Sequence, residues 1–76
     1  MPENYDLTQS MLGWLKEIYL KAAREHREAA SNNHIWALGC KTNEEAAEFE
    51  AYAEDNRYFA DALEAMAREL DIYREN

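Results

Sequence analysis

Alanine stands at every seventh position through the second half of the chain, at Ala46, Ala53, Ala60 and Ala67. A seven-residue beat belongs to α-helices that pack along a seam, because two turns of helix bring a residue back to the same face. A strand, with its period of two, has no use for it. Beside the alanines, Phe49, Tyr52, Asn56, Phe59, Leu63, Met66, Leu70 and Tyr73 alternate at spacings of three and four, which is a helical seam of high regularity. The first half repeats the pattern with Leu12, Leu15, Tyr19, Ala22, His26, Ala29, Asn33 and Trp36, flanked by Ala23, Ala30 and Ala37.

The chain divides once. Its two glycines are Gly13 and Gly39, its one proline is Pro2, and the punctuation falls at LGCKTN. The spacing predicts one domain over residues 1–76, with a first helix over about 7–38, a turn over about 39–43 and a second helix over about 43–74. Asp6 or Thr8 is the expected start of the first helix, and Gly39, in a left-handed conformation, its expected close. Thr42 or Asn43 can cap the second helix, Thr42 with Glu45 fits a capping box, and Glu44, Glu45 and Glu48 suit the positive end of its dipole.

A short turn makes the two helices antiparallel. With the turn centred near Lys41, residues whose numbers sum to about 82 lie opposite one another. Ala29 then faces Ala53 and Ala22 faces Ala60, so that small side chains let the backbones approach closely while Tyr19, Phe49, Phe59 and Leu63 fill the layers beside them. This alanine spacing resembles the antiparallel pairing of the Rop type of helical hairpin, a likeness of pattern that carries no functional residue across. The same register sets His26 opposite Asn56. A polar layer in a seam fixes register and orientation at some cost in stability, and His26→Leu is expected to stabilise the fold while loosening its specificity. A ligand-binding or pH-sensing role for His26 is the other reading, since histidine titrates near neutrality.

Two helices share one mutual interface, and this chain has apolar residues to spare. Met11, Trp14 and Ile18 form a second stripe, with Tyr5, Leu7 and Leu20 nearby; Tyr58, Ile72, Ile35 and Leu38 also lie off the seam. A 76-residue chain buries only about 60% of its unfolded surface, so a second copy is the expected cover, with a partner protein's helix or a folded-back N-terminal segment as the alternatives. The expected fold class is therefore all-α: an antiparallel two-helix hairpin with alanine-spaced coiled-coil packing, dimerising into a four-helix bundle. Trp14 is its expected anchor.

Charge separates the two halves. Residues 1–42 carry five acids and five bases, whereas residues 43–76 carry eleven acids against three bases, which is the whole net charge of −8. An acidic element repels nucleic acid and favours a basic protein partner. Glu50, Glu54, Asp61, Glu64 and Asp71 are read as the outer, partner-binding face of the second helix. On the first helix Lys21, Arg24 and Arg27 alternate with Glu17, Glu25 and Glu28 at helical pairing distance, which leaves little free basic surface for phosphate.

No catalytic signature emerges. His26 and His34 stand eight residues apart, too far to share a metal without outside ligands. Lone Cys40 permits no internal disulfide and has no base near it in sequence, so it reads as an incidental thiol in a reducing cytoplasm. The start MPENYDLTQSML has no targeting pattern, and no run approaches the ~18 apolar residues of a membrane span. Glu45-Ala-Ala-Glu48 resembles half of the magnesium-binding motif of the MazG type of nucleotide pyrophosphohydrolase, but the second acidic pair is missing: Tyr58 precedes Asp61 and Arg68 precedes Asp71. The expected function is that of a small acidic protein-interaction module without cofactor or catalytic activity, similar in type to phage and mobile-element accessory proteins and inhibitors that meet a basic surface. A structural or assembly subunit working through its apolar stripe is the alternative, and a magnesium-dependent pyrophosphohydrolase fragment the remote one.

Overall fold

The computed structural model describes the backbone of residues 2–75 and the side chains of residues 8–73. Two helices, α1 (Pro2–Leu38) and α2 (Asn43–Glu75), pack against each other along their length. At 1.5 Å per residue, a helix of 37 residues is about 56 Å long, and the molecule is a rod of 62 × 14 × 11 Å. Alanine and glutamate, both strong helix formers, make up nearly half of α2. The first helix begins at Pro2 rather than at Asp6 or Thr8. Proline is at home in a helical first turn because its missing N–H would have no intrahelical acceptor there; Asp6, Tyr5 and Leu7 lie outside the described side chains.

The turn differs from expectation in its chemistry. No described residue, glycine included, has a positive φ, so α1 does not close on a left-handed Gly39. It closes instead by tightening: Gly39 N–H donates to Trp36 O at 3.1 Å and Cys40 N–H to Ala37 O at 3.2 Å, bonds of the 3₁₀ type that use carbonyls the α pattern would orphan. The Cys40 thiol donates to Trp36 O as well, at 3.3 Å. At the other side of the turn, Glu45 N–H donates to Thr42 Oγ1 at 3.2 Å, making Thr42 the N-cap of α2.

The centre of the interface is alanine alone. Ala23, Ala30 and Ala37 of α1 and Ala53, Ala60 and Ala67 of α2 are buried, and no other described residue is. The first-helix partners are thus the flanking row and not Ala22 and Ala29, which remain half-buried. The bulky seam residues are displaced to one side. Relative to a seam-centred packing each helix is turned by roughly 75°, at about 100° per residue, so that the smallest row meets its counterpart. The reason is steric: a side chain as small as a methyl lets two helix backbones approach toward the near end of the 8–10 Å range usual for packed helices, which the bulky seam residues would not. The row ends at Lys16, seven residues before Ala23, whose Nζ reaches out to Asp71 Oδ1 and Oδ2, both at 2.8 Å.

Candidate protein-interaction surface

With alanine on the axis, the rows on either side fall on opposite faces of the hairpin, and interhelical contacts fix which is which. On one face the Trp36 and Phe49 rings meet edge-on with centroids 6.0 Å apart, and the His26 ring lies 5.5 Å from that of Phe59. This face takes the residues three after and one before each alanine, and from Thr8 to Trp36 and Phe49 to Tyr73 none of them is acidic, lysine or arginine. Its outer row stays open to solvent: Trp36 is 56% exposed, Phe59 51% and Tyr73 65%, with Tyr52 and Met66 between them. The half-buried inner row is Leu12, Tyr19, Phe49, Leu63 and Leu70.

One polar layer interrupts the face. Asn56 Nδ2 donates to Tyr52 O at 2.9 Å, which turns Asn56 Oδ1 toward His26, whose Nδ1–H donates to it at 2.8 Å. A second asparagine, Asn33, donates to Ala29 O at 2.8 Å. The structure therefore brings His26 and Asn56 together in direct contact. In the neutral ring this bond leaves His26 Nε2 to accept and one Asn56 Nδ2 hydrogen to donate, neither with a hydrogen-bond partner among the described residues.

Met11, Trp14 and Ile18, the stripe proposed from sequence for an oligomer contact, lie beyond this face on the outer side of α1, with Trp14 68% exposed. Together with Leu12 and Leu15 of the apolar face, Met11 and Trp14 line a shallow hollow of about 470 Å³. The stripe is thus the margin of a larger surface. Sequence reading found both sets of residues but assigned the larger one to the hairpin's own interior, because the seam spacing does not reveal which row faces the neighbour.

The opposite face is charged and internally paired. Arg27 Nη2 donates to Asp61 Oδ1 and its Nε to Glu64 Oε1, both at 2.8 Å; Lys16 holds Asp71, and His34 Nδ1 lies 2.6 Å from Glu50 Oε1. The hydrogen bond from Arg27, followed by its charge, holds the Glu64 carboxyl below the usual carboxylate range, against an opposing push from desolvation and from Asp61. Arg27 in turn is held more firmly protonated, first by its bond to Glu64 and then by that to Asp61. Of the five acids proposed to meet a basic partner, Glu50, Asp61, Glu64 and Asp71 are engaged in these pairs; Glu54, among the described residues, is in no ion pair. The cross-helix pairing went unseen in the sequence, where Arg27 was matched with acids of its own helix. The signal was present in the four-residue step from Arg27 to Ala23 and in the equivalent steps from Glu64 to Ala60 and from Asp71 to Ala67.

Among the described residues no three histidine, cysteine or acidic side chains converge on a metal-sized site, and Glu45 and Glu48 stand exposed at the start of α2. No described helix is long and apolar enough to cross a membrane. Comparison with protein-family models, curated proteins and solved structures yields no match.

Proposed function

We propose that this chain is a protein-interaction module, acting by binding rather than by catalysis, whose apolar face joins a second copy to form a four-helix bundle with the charged faces outermost. The observation that carries this reading is a hairpin whose buried residues, among those described, are all alanine while a charge-free aromatic face runs along it. A compact monomer of 8.9 kDa exposes roughly 4,800 Å² by the usual size scaling. This hairpin exposes 5935 Å², an excess of roughly 1,100 Å², which is more than the ~800 Å² that each partner contributes to a standard protein interface. The compartment that suits it is the cytoplasm, where Cys40 stays reduced.

The bundle would turn outward the surplus acids of α2, and a basic protein surface is the second partner this reading supports. Glu48, Glu54, Asp55 and Glu69 are exposed and outside the ion pairs, so they, more than the paired acids, are available to such a partner. Light scattering with circular dichroism tests the first contact: the wild type is expected at twice 8.9 kDa, Phe59→Glu at the monomer mass, and Trp14→Ala still dimeric though weaker. A wild type that stays monomeric while fully helical at high micromolar concentration would overturn the reading.

A further inference from the structure

We infer that the two copies pack with their turns at the same end of the bundle, so that the His26–Asn56 layers of both chains coincide and each α2 lies over the α1 of the other. This rests on the assembly proposed above and specifies its geometry. A twofold axis can bring the apolar faces together in two ways. With the axis along the helices the turns coincide and α1 meets the second copy's α2; with the axis across them the turns lie at opposite ends, α1 meets α1 and α2 meets α2.

Two independent features of the chain select the first. Charge is one: residues 1–42 are neutral overall while residues 43–76 carry the net −8. Turns at opposite ends would stack two acidic helices on each other, whereas turns together place each acidic helix between two neutral ones and keep like charge apart. Hydrogen bonding is the other. In each copy the layer holds one acceptor, His26 Nε2, and one donor hydrogen on Asn56 Nδ2, still to be satisfied. With turns together, α1 lies over α2 at a common level, so each His26 can accept from the other copy's Asn56 and the twofold axis supplies the bond twice. With turns at opposite ends, full overlap of the paired helices sets His26 level with Tyr19 and Asn56 with Leu63, and those groups are buried unpaired. A buried polar layer that is satisfied in one arrangement and stranded in the other is what fixes orientation in helical assemblies.

The test uses the full wild-type chain, because Cys40 is its one cysteine and sits at the turn. A nitroxide on Cys40 reports the distance between turns by pulsed electron paramagnetic resonance, and light scattering on the same sample reports the mass. The expected result is a dimer with a single distance below half of the 62 Å long axis. A dimer with a distance approaching that full length, or with two populations, overturns the arrangement and leaves the assembly reading standing. A monomer overturns both. Moving the label to the start of α2 with Cys40→Ser and Asn43→Cys must return the same answer, which excludes an effect of the label on the Cys40 thiol contact. In His26→Leu/Asn56→Leu a long-distance population is expected to appear; a distribution unchanged from wild type overturns the polar layer as a selector.

Discussion

Each buried alanine holds its place by what it lacks. Ala53 and Ala60 have no exposed surface, so an added side chain has nowhere to go but between the backbones. Ala60→Leu is expected to cost at least the 1–3 kcal/mol typical of overpacking, while Ala65→Leu, on the solvent side of the same helix, is expected to leave the urea midpoint nearly unchanged. The polar layer behaves differently. Because His26 bonds directly to Asn56, His26→Leu alone strands the Asn56 carbonyl, a loss that offsets the apolar gain expected from sequence. Replacing both by leucine removes the stranded group, and the double variant is expected to melt higher than either single one, since loss of both partners can be neutral or stabilising where loss of one is not.

At the scale of the helices, the ends and the charged flank add modestly to what the narrow alanine seam supplies. Gly39 has a negative φ, and a Cβ built there would approach only Trp36 O, at an ordinary 3.6 Å. Gly39→Ala is therefore expected to raise the melting temperature, by an amount equivalent to about 0.4–1 kcal/mol from reduced freedom of the unfolded chain. A glycine needed for a left-handed cap would give the opposite result. On the charged flank, Glu64 is held below its unfolded pKa by Arg27. Its contribution is fully present above the ordinary carboxylate range and is lost as pH falls through the lowered folded-state value. Glu64→Gln is expected to lessen the decline of melting temperature on acidification, and the effect is small because the pair faces solvent.

For the whole molecule, the decisive quantity is the apolar face. A hairpin that buries no large side chain among its described residues would gain most of its hydrophobic stabilisation in the proposed bundle, so its melting temperature is expected to rise with protein concentration, as mass action requires when the folded state alone dimerises. Added salt is expected to strengthen that association, because two chains of net charge −8 repel each other. A melting temperature independent of concentration over two decades, with the helix content unchanged, would mean that the hairpin is stable by its alanine seam alone.

Sequence by itself determined the helices, the single break at LGCKTN, the antiparallel hairpin and the level at which His26 meets Asn56, because heptad spacing and turn residues are local properties that a chain carries wherever it folds. It also identified every residue of the apolar face. What only the tertiary structure decided was which of three adjacent rows forms the axis. Seam spacing is equally well served by packing the aromatic rows inward or by turning them aside. The choice depends on how closely two backbones can approach, and that is fixed by the pair of helices and by neither alone. Alanine against alanine permits the closest approach, so the aromatic rows that look like a core in the sequence become a face. The ion pairs of Lys16, Arg27 and His34 across the helices follow from the same rotation.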